Sequence, residues 1–204
     1  MNSAHSGDAT RAQLLQAAFA EIYRHGFQAA GLHEILKGTG LTKGALYYHF
    51  PSKRALGLAV IDEVIRDRLT ETIFRPLEEA EDPFATLLAI LEEKARAATD
   101  DTIQWGCPLN NLIQEMSPVD ADFRERLSAI LTRWQDVLCA ALARAQAQGR
   151  IRATVDCEAA SLFVVAAWEG CWGVAKNRQS GPVFRQCLEQ LRDYVRGLMP
   201  QPLT

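Results

Sequence analysis

The chain has 204 residues, 48% of them apolar, and a net charge of −3; that bounds it to one large domain or a small domain joined to a larger one. Five scattered cysteines (107, 139, 157, 171 and 187), without a Cys-x-x-Cys, exclude a disulfide framework and a zinc site, and with four His in the chain neither metal nor cofactor is expected. The charge is uneven, +3 over residues 1–56 and −6 over the remainder, as for a basic module that meets a polyanion on an acidic body that does not.

The N-terminus lacks a basic start followed by an apolar run. The most apolar stretch, Ala159 to Ala175, contains Glu169 and is short for a bilayer. A cytoplasmic protein without membrane contact is expected.

Nearly every segment has helical period, and about nine helices are predicted in an all-α fold. Helix 1 starts at Thr10, with Thr10-x-x-Gln13 as a capping box, and ends at Gly26. Its apolar stripe is Leu14, Leu15, Ala18, Phe19 and Ile22. Helix 2 covers about 32–37. Helix 3 follows a Thr42 cap over about 43–50. Helix 4 runs from Ser52 to about Phe74, and Asp82-Pro83 opens helix 5, to about Ala98. A polar link at Thr99–Thr102 and a turn at Trp105-Gly-Cys-Pro108 precede helix 6, about Leu109 to Met116. Helix 7 covers about 121–148, helix 8 follows an Asp156 cap to about Lys176, and Pro182 opens helix 9.

Helices 2 and 3 are short and joined by the Gly-containing turn Thr39-Gly-Leu41, the spacing of a helix-turn-helix. The second helix of such a motif enters the major groove with its N-terminal residues at base edges. Thr42 and Lys43 sit at its tip, and Gly44 admits close approach of the backbone. Tyr47, Tyr48 and His49 have polar ends that reach phosphates or bases. Lys53 can neutralise a phosphate at a helix N-terminus. Consecutive helical residues cannot all face inward, so at least one of these aromatics is exposed, while Leu46 and Phe50 suit the core.

Gly26-Phe27, Ile35, Gly40-Leu41-Thr42-Lys43-Gly44, Leu46-Tyr47-Tyr48-His49-Phe50 and Ser52-Lys53 together resemble the N-terminal signature of the TetR family of transcriptional repressors, over about residues 9–56. The resemblance implies a DNA-binding domain at 1–56 and a ligand-binding and dimerisation domain at 57–204. It implies a homodimer on double-stranded DNA at a palindromic operator, released by a small-molecule effector. By position it puts Tyr47, His49 and Lys53 on phosphates, and Thr42, Lys43, Gly44, Ala45 and Tyr48 at bases. Two positions depart from the family pattern. Ala30-Gly31 replaces a common Thr-Ser pair, which removes a phosphate contact and leaves a weaker N-cap, and Leu36 replaces a frequent Ala. The 31–37 stretch is similar to a branch that includes sensors of reactive electrophiles.

Beyond residue 56 no catalytic constellation stands out, and no enzyme is expected. Cys107, in a turn at the start of a helix, suits a reactive thiol there or a small packing residue. Trp105, Trp134, Trp168 and Trp172, with Asn110, Asn111 and Gln114, suit the lining of an effector cavity or plain core. Glu169 needs a partner if buried. Helix 8 is apolar nearly all round, which suits either a central core helix or a dimer contact made by residues 158–176 and 182–198 of each subunit. The function expected is a ligand-responsive repressor with a hydrophobic or electrophilic effector. The alternatives are a small all-α enzyme using the Trp/Cys cavity, and an effector-independent architectural DNA-binding dimer.

Overall fold

The apolar stripe of helix 1 needs partners, and the chain supplies them from the segments that follow. The structure is a computed structural model describing residues 2–200, with side chains from residue 7 onward. Its regular elements among the described residues are all helical. In chain order they are α1 (Asn2–His25), α2 (Leu32–Lys37), α3 (Lys43–His49), α4 (53–79), α5 (Pro83–Ala97), α6 (Asp100–Trp105), α7 (Pro108–Met116), α8 (Ala121–Ala147), α9 (Cys157–Arg178) and α10 (Gly181–Arg196). The nine expected helices are all present, and α6 is an addition.

Three local expectations need correction. Helix α1 starts at Asn2, so Thr10 is an interior residue and not a cap; residues 2–9 carry no apolar stripe, so periodicity gives no sign of them. The Thr99–Thr102 link is the start of α6, with Thr99 and Thr102 as a reciprocal capping box. Helix α4 continues past Phe74 through Pro76. Two π-turns, Ile61–Ile65 and Thr70–Phe74, interrupt its regular hydrogen bonding, and the second directly precedes the segment that holds the proline. A π-turn is one way a helix absorbs the amide that proline lacks.

The chain forms two compact units: Met1–Arg68 with Pro108–Ser128, and Leu69–Cys107 with Ala129–Thr204. The first thus takes in residues beyond the boundary expected at 56. In it α1 packs on α2, α3 and the beginning of α4, burying Leu14, Ala18 and Ile22 with Ile35, Leu46, Phe50, Leu56 and Val60. Arg11 grips Glu63 through two hydrogen bonds of 2.5 and 2.6 Å and lies over the Phe50 ring. Arg54 does the same to Asp120 at 2.8 and 3.1 Å and reaches Asp122 at 2.6 Å. Asp120 also accepts from the amides of Asp122 and Phe123 at the start of α8, and with Arg54 these hold its carboxyl down to about 2.

In the second unit α9 packs on α10, and α10 on α5. Trp134, Leu138, Val164, Phe184, Leu188, Leu87 and Leu91 are buried there. Arg144 caps the last carbonyls of the α4 segment at Leu77, Glu78 and Ala80. No helix among the described residues is long and apolar enough to cross a membrane.

Candidate functional site

The first candidate surface is built at α2 and α3. Gly31 is the N-cap of α2 in extended backbone and offers no side-chain bond, while Ala30 is buried; this pair carries no polar contact outward. The turn that follows is fixed by Thr39. Its hydroxyl donates to the Leu36 carbonyl at 2.8 Å and accepts from the Leu41 amide at 3.1 Å. Gly40 then takes φ +68°, a conformation glycine adopts freely. Thr42 caps α3 by accepting from the Ala45 amide at 3.1 Å.

These constraints aim α3. Leu46 and Phe50 are buried at its base, whereas Thr42, Lys43, Gly44, Tyr47 and Tyr48 are exposed, Tyr48 to 84%. Ala45 and His49 are half-buried, and the His49 ring stands edge-on to Tyr48. A Cβ added to Gly44 meets only the Thr42 hydroxyl, at 3.6 Å, so nothing inside the chain requires glycine there. Lys53 is half-buried; its ammonium donates to the Gln28 carbonyl at 3.0 Å and lies over the Phe27 ring. Its charge is therefore held at the entry to the motif.

Glu115 was not visible as a site residue in the sequence. It lies on α7, and its two carboxylate oxygens accept from the backbone amides of Phe27 and Gln28, each at 2.8 Å. Gly26 makes this approach possible. It has φ +82°, and a Cβ there would stand 2.9 Å from the Glu115 carboxylate. The carboxylate thus caps the loop between α1 and α2.

The second candidate region is in the other unit. Gly106, at φ +73°, ends α6, and a Cβ on it would meet the Lys176 side chain at 2.9 Å. Gln179 reaches back to the Gln104 carbonyl at 3.3 Å, so the 104–107 turn is held against the end of α9. Cys107 is buried, and its thiol donates to Glu169 Oε1 at 3.4 Å. Burial pushes the Glu169 carboxyl up to about 7, with the thiol hydrogen bond opposing the shift. Oε1 of the buried Glu169 thereby has a polar partner, and the thiol has a base beside it that spacing in the sequence did not reveal.

The expected lining residues fall into separate groups. Trp134 and Trp168 pack edge-on, 5.3 Å between ring centroids, and Trp134 Nε1 is buried without a hydrogen-bond partner among the described residues. Trp172 packs instead on Phe184, and Trp105 is half-buried. Asn110, Asn111 and Gln114 belong to the first unit, where Gln114 donates to Asn110 at 3.4 Å. A groove of about 540 Å³ lies between α9 and α10 and is lined by none of these residues; Phe163, Cys171, Val174, Cys187 and Tyr194 are among those that line it. Leu162, Phe163, Val174 and Tyr194 are exposed apolar residues on these two helices. Gly170 and Gly173 are also exposed, and a Cβ on either would meet nothing of this chain.

Comparison with known proteins follows the same division. The family model for the tetR family of bacterial regulatory proteins matches residues 14–60, and that for the tetracyclin repressor-like C-terminal domain matches residues 83–191, more than half of the chain. An HTH-type transcriptional regulator in the lacX 3' region of Lactococcus lactis is 32% identical over 62% of this chain, which spans 64% of that relative. The transcriptional regulator AcuR of Cereibacter sphaeroides is 30% identical over 77% of this chain and 72% of its own. A TetR transcriptional regulator of Chloroflexus aurantiacus superposes with a TM-score of 0.81 at 25% identity, covering 94% of this chain and 96% of that one. Such regulators bind DNA, form dimers and are typically ligand-responsive repressors rather than enzymes. On the extent of these matches the chain belongs to the TetR family of transcriptional regulators.

Proposed function

We propose that this chain represses transcription from inside the cell by holding a palindromic operator as a homodimer, with α3 of each subunit in successive major grooves. The observation that carries the reading is the row of exposed residues on α3, Thr42, Lys43, Gly44, Tyr47 and Tyr48, above a base anchored by Leu46 and Phe50. Thr42, Lys43, Gly44, Ala45 and Tyr48 face bases in this reading, and Tyr47, His49 and Lys53 hold phosphates. DNA reading is assigned to residues 1–56, and ligand binding and dimerisation to 57–204. The test is binding to fragments of its own promoter across a salt series. The logarithm of affinity falls linearly with that of salt concentration, by about one unit per phosphate contact. Tyr47→Ala weakens binding with helical content unchanged; undiminished affinity in that variant removes Tyr47 from the interface.

The dimer contact is assigned to α9 and α10. Their exposed apolar residues need cover, and Gly170 and Gly173 cost their helix roughly 1 kcal/mol each against alanine. Nothing within the chain uses the space they leave, whereas a second copy approaching closely does.

The effector assigned is a soft electrophile such as an α,β-unsaturated aldehyde, taken by Cys107. The thiol proton passes to Glu169, Sγ bonds to the β-carbon, and the displaced electron pair moves to the carbonyl oxygen. The resulting enolate recovers the proton, so no oxidant is needed. Cys107 is joined directly to Pro108, the first residue of α7, whose Glu115 holds the Phe27 and Gln28 amides. Strain at the modified turn reaches the entry of the helix-turn-helix by that covalent route. Operator binding is measured before and after exposure to the aldehyde; release of Cys107→Ser to the same extent as the parent ends this assignment.

A further inference from the structure

Two cysteines outside this reading face one another. Cys171 is buried on α9 and Cys187 half-buried on α10, and the two thiols are close enough to perturb one another. Both line the groove between the two helices, whose wall also carries the half-exposed side chains Phe163, Val174 and Tyr194. Two thiols lining one apolar groove from separate packed helices constitute a preorganised dithiol.

We propose that Cys171 and Cys187 form a binding site for monosubstituted trivalent arsenicals, R–As(OH)₂, with the organic group R lying in the groove against Phe163, Val174 and Tyr194. Two As–S bonds form and two As–O bonds break, and each thiol proton leaves on the departing hydroxide as water. The oxidation state of arsenic and sulfur is unchanged. The second As–S bond closes within one site, so the pair binds far more tightly than either thiol alone.

Competing thiol chemistries fit less well. A structural metal needs three or four ligands, and no cluster of three His, Cys, Asp or Glu side chains with that geometry exists among the described residues. Disulfide formation needs a two-electron oxidant and a thiolate attacker, and burial pushes the Cys171 thiol up to about 12, which removes Cys171 as that attacker. Condensation with an arsenic hydroxide consumes the protonated thiols directly.

The groove lies on the face assigned above to the second copy, so arsenical and partner exclude one another there, and that consequence rests on the dimer reading. The site is tested on the full chain with phenylarsine oxide, which hydrates to the dihydroxide. Intact mass is expected to show one phenylarsenic per chain, and free-thiol counting a loss of two thiols from five. Trypsin leaves Cys187 on peptide 186–192 and Cys171 on peptide 153–176, which also holds Cys157, so fragment ions of the bridged pair that place arsenic on Cys171 identify the site in the unmutated protein. Cys171→Ser and Cys187→Ser each weaken binding by about 100-fold or more, and Cys139→Ser leaves it unchanged. Absence of a stoichiometric adduct, a bridge to any other cysteine, or undiminished binding in both serine variants overturns the proposal. Pairing is read separately by sedimentation: a dimer that persists with arsenic bound overturns the pairing face and leaves the dithiol site standing.

Discussion

Glu115 Oε2 lies 2.8 Å from the Phe27 amide, with Oε1 at the same distance from the amide of Gln28. Hydrogen bonds to a charged acceptor contribute about 1.5–3 kcal/mol each. Glu115→Ala is therefore expected to lower unfolding stability by about 2–4 kcal/mol in a denaturant titration, allowing for partial rehydration of the two amides. Glu115→Gln keeps one acceptor but turns an amino group toward the other amide, and recovers less than half of the loss. Equal stability of all three proteins would show that water replaces the carboxylate without cost.

The Cys107–Glu169 pair gives a pH signature. Glu169 accepts the thiol proton only when ionised, and its pKa is raised to about 7. Alkylation of Cys107 is expected to quicken about tenfold per pH unit below 7 and to level off above it; Glu169→Gln removes that inflection. Stability moves the other way. The unfolded carboxyl ionises near 4.5 while the folded one stays protonated, so the contribution is fully present below the unfolded value. It falls as pH rises from about 4.5 to 7, by on the order of 3 kcal/mol. A parent and Glu169→Gln with parallel stability curves across that window would contradict the assignment.

Gly44 separates stability from function. A methyl group there meets only the Thr42 hydroxyl at ordinary contact distance, and alanine favours the helix by about 0.5–1 kcal/mol. Gly44→Ala is expected to raise the unfolding midpoint while reducing operator affinity about tenfold or more, the equivalent of at least 1.4 kcal/mol. Retained affinity would mean that DNA does not approach this face of α3.

Gly170→Leu tests the α9 face. A Cβ at this position meets nothing of its own chain within 4 Å, and the fold is expected to persist by circular dichroism. Sedimentation is expected to show a monomer at concentrations where the parent is paired. A dimer of parental affinity would move the interface elsewhere.

The helices were legible where punctuation and periodicity agree. Thr42, Ser52, Asp82 and Asp156 are caps in sequence and in structure, each accepting from an amide three residues on. Helix α6 was hidden because its box uses Thr102 in place of the usual Glu or Gln. The division of α3 into the anchors Leu46 and Phe50 and an exposed row follows from helical period alone. The Cys107–Glu169 and Cys171–Cys187 pairs do not, because each joins residues on different elements, a turn and a helix or two helices, and a single sequence carries no sign of which element faces which. The same holds for Glu115 and Gly26, far apart in the chain and joined only by packing.

The first compact unit is discontinuous in the chain, and this bears on exchanging parts between relatives. A chimera cut at residue 56 would carry the reading helix away from Glu115 and separate Arg54 from Asp120. A donor front end would then meet a recipient 108–128 segment selected for a different loop. Altered specificity in such hybrids would be entangled with a mispositioned reader. Transplanting 1–68 together with 108–128 keeps each cap and ion pair of that unit with the backbone it evolved to hold.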